Sequence, residues 1–250
     1  MREVVAEYAW QDDLSKAEMA ALNHVKDTAD KPILDIGVGG GRTVTALREV
    51  SKDYIGMDYV IEMVEECKMK FPGVQFEQGD ARNLTSFKDN HFHTIMFSMN
   101  GISMVDHKGR LEILKEAYRL LQPGGVFLFS TYNKDNPDYK KLFRFPKFMF
   151  SFHPLKLGIR GIKYAYNLMI AMKNRFKFRK HEIHTDEYSM VNDMCHNYAT
   201  MLYYISQPIQ HAQLVAAGFE SDIVVFDLSG NRVNHDSISD SLFYVARKSF

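Results

Sequence analysis

Apolar residues in the first half of the chain alternate between short unbroken runs and segments of helical period. Leu14, Ala17, Ala20, Ala21, Leu22 and Val25 recur at helical spacing within residues 14–29. Pro32 then opens a short strand, Ile33 to Ile36. Helices over Thr43 to Val50 and Val60 to Lys70 flank a second strand, Tyr54 to Asp58, and Phe71-Pro72-Gly73 stops the later helix. Val74 to Glu77 and Phe92 to Ser98 read as third and fourth strands. Arg110 to Leu121 carries Leu111, Leu114, Ala117, Tyr118 and Leu121 on one helical face, and Gln122-Pro123-Gly124-Gly125 turns into a fifth strand, Val126 to Thr131. This alternation predicts an α/β, doubly wound, mostly parallel sheet with helices on both faces. The rhythm stops after Asn133. It resumes as a helix over Gln207 to Ala217 and strands over Ser221 to Asp227 and Ser241 to Ala246. No helix separates these last strands, so they are expected to pair antiparallel.

Right-handed crossovers bring the C-terminal ends of parallel strands to one edge, where ligands bind. Asp35 with Gly37, Asp58, Asp80, and Ser98 to Asn100 all fall at such ends. In Ile33-Leu34-Asp35-Ile36-Gly37-Val38-Gly39-Gly40-Gly41-Arg42 an apolar strand ends at an acid and glycines follow. That order builds a tight turn into a helix N-terminus, where backbone N–H groups approach a nucleoside closely. A dinucleotide fingerprint, G-x-G-x-x-G, would place a third glycine at position 42, which is Arg42.

Asp35-Ile36-Gly37-Val38-Gly39-Gly40-Gly41, Gly56-Met57-Asp58, Gly79-Asp80-Ala81 and Leu120-Leu121-Gln122-Pro123-Gly124-Gly125 occur in the order and spacing of the class I S-adenosylmethionine-dependent methyltransferases. The chain resembles that family, in its small-molecule branch, over about residues 30–132 and weakly again at Leu214 to Phe226. The resemblance implies a Rossmann-like, seven-stranded sheet closed by an antiparallel C-terminal strand. It also implies S-adenosylmethionine as cofactor and S-adenosylhomocysteine as product. Gly37, Val38, Gly39 and Gly41 would pack against the cofactor, with Asp35 anchoring their loop near its amino group. Asp58, next to Tyr59, would accept from the ribose hydroxyls. Asp80 would accept from the adenine amino group, with Ala81 and Arg82 beside the ring. Ser98 and Met99 would line the path to the methyl group. Carboxylates suit a ligand that carries a sulfonium and an ammonium and no phosphate.

A sulfonium is already activated, so alignment and exclusion of water are the main demands on the protein. His107 is the best-placed candidate base, and Tyr8, Trp10, Asn100, Tyr203 and Tyr204 are candidates for the acceptor pocket. No Asn/Asp-Pro-Pro-aromatic motif follows strand four and no Pro-Cys nucleophile occurs, which speaks against nucleic-acid amino groups and pyrimidine carbons. The expected reaction is methyl transfer to an O or N atom of a small molecule, anionic or lipid-like. The alternatives are an RNA methyltransferase and a cofactor-binding protein without turnover.

The 31 basic and 31 acidic residues cancel, but unevenly: residues 140–181 hold twelve basic residues and no acidic one. Nine aromatics interleave with them, from Phe143 to Phe178. Basic residues at 156, 160 and 163 with apolar residues between them have amphipathic helical spacing. A basic, aromatic lid points to an anionic acceptor, an anionic membrane surface or nucleic acid, the last disfavoured by the missing nucleic-acid motifs. The expected organisation is a cofactor-binding core over 1–133, an inserted lid over 134–196 and the rest of the core over 197–250. Cys67 and Cys195 provide neither a disulfide framework nor zinc spacing, so no metal is expected. Without an apolar leader or a spanning segment, the expected location is the cytoplasm.

Overall fold

A computed structural model describes residues 14–25, 28–140, 145, 148, 150–195 and 197–250, Lys140 by its backbone alone. After α1 (Lys16–His24) the chain alternates β1 (Ile33–Ile36), α2 (Val44–Val50), β2 (Tyr54–Asp58), α3 (Ile61–Lys70), β3 (Gln75–Gln78) and β4 (Phe92–Phe97). A 3-10 turn (Gly101–Met104), α4 (His107–Leu120) and β5 (Leu121–Asn133) complete the regular part. Next come α5 (Pro154–Phe178), β6 (Ile183–His184), β7 (Tyr188–Asn192), β8 (Met201–Ile205), α6 (Gln207–Ala216), β9 (Val224–Phe226) and β10 (Ser241–Arg247).

The parallel strands lie in the order β3-β2-β1-β4-β5, and β10 adds antiparallel to both β5 and β9. All four residues of β1 and all six of β4 are buried, as expected of strands covered on both faces. Successive residues therefore serve different layers. Leu34 and Ile36 join Ile113, Leu114 and Leu214, on the α4 and α6 side, whereas Ile33 joins Ala21, Leu47 and Val64, on the side of α1, α2 and α3. The parallel sheet and the antiparallel C-terminal strands match the sequence expectation.

The strand count does not: the described residues form ten strands rather than seven. The antiparallel run β6-β7-β8 joins the sheet where β8 pairs with Tyr132 and Asn133 of β5. Tyr132 is also opposite Ser241 of β10, and the last β4–β5 pair is Phe97 with Phe129. β8 therefore takes the edge of β5 that β4 has vacated, beside the 3-10 turn. The segment between β5 and α6 thus adds three strands to the main sheet, just beyond the end of β4. Arg110, fully buried, braces this corner by donating to Ile102 O (3.3 Å), Thr131 Oγ1 (3.1 Å) and the Gln210 side chain. Burial lowers its pKa to about 10.

Candidate active site

The strand ends at this edge surround a cleft of about 270 Å³. One wall is the glycine turn after β1, with Gly37 at φ +69° and Gly39 at φ +54°, both lining the cleft. The Gly37 and Val38 N–H groups donate to Met57 O at 2.7 and 3.0 Å, which fastens the turn to β2. Gly41 is also left-handed but serves packing, since a Cβ there would lie 2.4 Å from the Phe71 ring.

Asp58 lines the cleft at the end of β2. Its Oδ2 accepts from Gly39 N–H and its Oδ1 from Val60 N–H, both at 2.9 Å. A carboxylate has about four acceptor positions, so two remain for a ligand. Asp35 sits beneath the turn, 1% exposed and outside the lining. It accepts from the Thr43 hydroxyl and, at 2.9 Å, from the Tyr54 hydroxyl. It therefore ties β1, the turn and β2 together from below.

Burial pushes the Asp35 carboxyl up to about 6, against the pull of Thr43, Tyr54 and Arg42. A raised folded-state pKa contributes stability that is complete below the ordinary value near 3.8 and lost as pH rises through about 6. Asp35→Asn cannot ionise. Its unfolding free energy relative to the native chain is therefore expected to rise by about 2 kcal/mol between pH 4 and 7. Urea unfolding of both proteins across that range checks this; a constant difference would contradict it.

Arg42, at the position that breaks the dinucleotide fingerprint, also lines the cleft. Its Nη1 and Nη2 donate to Glu18 Oε2 (2.8 Å) and Oε1 (2.5 Å), and Nη2 also reaches Ser98 Oγ (3.1 Å). Glu18 is itself set by a capping box with Ser15 at the start of α1. The pair thus links α1, the glycine turn and the end of β4.

Ser98, Met99 and Asn100 form the opposite wall. Met99 and Asn100 are left-handed (φ 51° and 58°), a costly conformation for non-glycine residues that persists where the surroundings enforce it. Asn100 N–H donates to Ser130 Oγ (2.7 Å) and Asn100 Nδ2 to Ser241 Oγ (3.0 Å), while its buried Oδ1 has no partner. Gly101 completes the turn; a Cβ there would lie 2.1 Å from the Phe97 ring. Phe97, Met104, Tyr132 and Cys195 also line the cleft. Burial holds the Tyr132 hydroxyl far above the usual phenol range, so it stays protonated at neutral pH.

Several residues singled out from the sequence lie off the cleft wall. Asp80 is clamped by Arg82, whose Nε and Nη2 reach its carboxylate at 3.0 and 2.6 Å and keep its pKa low. Neither of these, nor Ala81, nor the exposed Tyr59, is among the lining residues. His107 stacks on Tyr188 (4.4 Å between centroids) and bonds Tyr203 OH through Nδ1 at 2.7 Å, away from the cleft. Tyr204 is buried, donates to Asp193 Oδ2 (3.0 Å) and stacks on Tyr132, so it backs a lining residue rather than lining the site itself. Tyr8 and Trp10 lie outside the described residues. The sequence reading missed Glu18, Tyr132 and Cys195. Arg42 was visible only as the misfit to the dinucleotide fingerprint.

Residues 33–125 match the family of methyltransferase domains. Demethylmenaquinone methyltransferase of Chlorobaculum parvum is 26% identical over 129 residues, 51% of this chain and 52% of that protein. The ubiquinone/menaquinone biosynthesis C-methyltransferase of Rickettsia felis is 28% identical over 176 residues, 64% of this chain and 65% of that protein. The chain spans about half the length of the first of these curated relatives. An S-adenosylmethionine-dependent methyltransferase of Mesorhizobium loti has the same fold, with a TM-score of 0.61 at 14% identity over 94% of this chain and 98% of that one. Residues 33–125 thus carry the sequence pattern of a methyltransferase domain, on a fold shared with S-adenosylmethionine-dependent methyltransferases.

Proposed function

We propose that the protein transfers a methyl group from S-adenosylmethionine to an oxygen or nitrogen atom of a small, largely apolar acceptor. The observation that carries this reading is the make-up of the cleft wall. Its lining combines glycine backbone and the Asp58 carboxylate with the apolar or weakly polar side chains of Phe97, Met104, Tyr132 and Cys195. When bound, the cofactor supplies a methyl group on a sulfonium, an electrophile with its leaving group built in. Asp58 would accept from the ribose hydroxyls through its two remaining acceptor positions. Gly37 and Gly39 leave room for the aminoacyl part beside Arg42, whose charge Glu18 balances and whose Nη2 reaches Ser98. Gly79 N–H donates to Asp58 O at 3.0 Å, which brings the Asp80–Arg82 turn alongside Asp58 for the adenine.

Among the described residues, no imidazole and no carboxylate other than Asp58 lines the cleft. An acceptor whose proton leaves easily, such as a phenol or an amine, suits this environment, with Tyr132 donating a hydrogen bond to orient it. Carbon methylation is the second reading, favoured by the similarity to the C-methyltransferase of Rickettsia felis.

The test is turnover with isotope-labelled cofactor and a panel of phenols, quinols, amines and RNA. The expected result is labelled small-molecule product, with fragmentation placing the methyl on oxygen or nitrogen. Label on carbon would establish the second reading, and label in RNA alone would overturn both.

A further inference from the structure

α5 is 25 residues long, about 37 Å at 1.5 Å per residue, and much of its surface faces away from the protein. Its buried positions are Ala171 and Arg175. Arg175 Nη1 donates to Asn192 O (2.8 Å) and to the Glu182 carboxylate, and Asn174 Nδ2 donates to Asn197 O (2.9 Å). These contacts fix its C-terminal end to the β7–β8 loop. On the opposite side, Leu155, Ile159, Ile162, Tyr166, Met169 and Phe176 follow one another at three-, four- and seven-residue steps, all exposed, Ile162 by 75% and Phe176 by 90%. The first five of these fall within an arc of about 80° at 3.6 residues per turn. Exposed apolar stripes of this size mark interaction surfaces.

We infer that this face docks α5 in the plane of an anionic lipid surface. Charge selects the occupant. Lys156 and Lys163 are exposed and lie roughly 80–100° round from Leu155, at the edge of the stripe. Lys173 and Lys177 fall on the stripe's own face, at about 0° and 40° from Leu155, and give its C-terminal end positive charge, and residues 140–181 contain no acid. An apolar arc with lysines along one side and at its C-terminal end is the pattern of a helix that buries its stripe at the headgroup boundary while its cations meet lipid phosphates. A second copy of the same face would bring like charges together. Phe150 and Phe152, exposed just before the helix, extend its apolar edge. No helix among the described residues is long and apolar enough to cross a membrane, so this contact lies in the interface. The β7–β8 loop that anchors α5 also carries Cys195 on the cleft wall, which places the mouth of the site next to the docked helix.

The test is co-sedimentation of the full chain with phosphatidylcholine vesicles, with and without phosphatidylglycerol. Binding is expected only to the anionic vesicles, and to weaken with added salt. Lys156→Ala combined with Lys163→Ala should lower partitioning roughly 30-fold, each surface lysine being worth about a factor of five. Ile162→Glu should abolish it. All these positions are exposed, so the melting temperature should not change, and circular dichroism would verify that the variants are folded. Equal binding to neutral vesicles, no binding to either, or a solution dimer broken by Ile162→Glu would each overturn the inference. The last outcome would assign the face to a second copy. Vesicle binding requires no turnover, so its result is independent of the proposed reaction.

Discussion

Glu18→Gln is expected to destabilise the fold by about 3–5 kcal/mol, because it leaves the Arg42 guanidinium without its counter-charge. Glu18 is 1% exposed and Arg42 9%. The bidentate contact supplies the compensation that a charge removed from water needs. Burial works to raise the Glu18 pKa, but the hydrogen bonds and charge of Arg42, with help from Ser15, outweigh it and hold the carboxyl below its usual range. This contribution is complete above the ordinary value near 4.5 and is lost as pH falls through the lower folded value. Replacing both partners, Glu18→Gln with Arg42→Met, should recover much of the loss, since a buried ion pair contributes little over apolar packing of similar volume. Urea unfolding of the native chain, both single variants and the double variant measures the coupling. Equal stability of Glu18→Gln and the native chain would show that the pair does not hold α1 to the glycine turn.

Asp58→Ala is expected to weaken S-adenosylhomocysteine binding about 10- to 150-fold, corresponding to roughly 1.5–3 kcal/mol for lost charged hydrogen bonds. The loss has two sources. The ribose would lose its acceptor, and the Gly39 and Val60 N–H groups lose the carboxylate that positions the turn. Asp58→Asn keeps an acceptor oxygen and should fall between Ala and the native residue. Calorimetric titration checks both variants, and an unchanged affinity in Asp58→Ala would remove Asp58 from the site.

The central sheet was legible because β1, β2 and β4 are short apolar runs ending at Asp35, Asp58 and Ser98, and those ends share one edge. The start of α4 was less so. Asp106 caps it by accepting from Gly109 N–H at 2.8 Å, and a glycine in the first turn obscured the helical pattern. β6 to β8 were invisible for another reason. Tyr188–Asn192 and Met201–Ile205 acquire their strand character by pairing across a polar loop and against the overhang of β5, which no local periodicity records. The same limit applies to the site. Asp58 could be read from its place at a strand end. The Glu18–Arg42 pair joins residues 24 positions apart, and nothing near either marks the other. His107 was well placed along the chain, yet the aromatic stack of Tyr188 and Tyr203, both from the unforeseen strands, holds it off the cleft.

A crystal structure with S-adenosylhomocysteine bound tests the cofactor site most directly. The ribose hydroxyls should lie within hydrogen-bond distance of the Asp58 carboxylate, with the aminoacyl end over Gly37 to Gly39 and the sulfur facing Tyr132 and Asn100. A ligand seated elsewhere, or a cleft that stays closed at saturating concentration, would contradict the assignment.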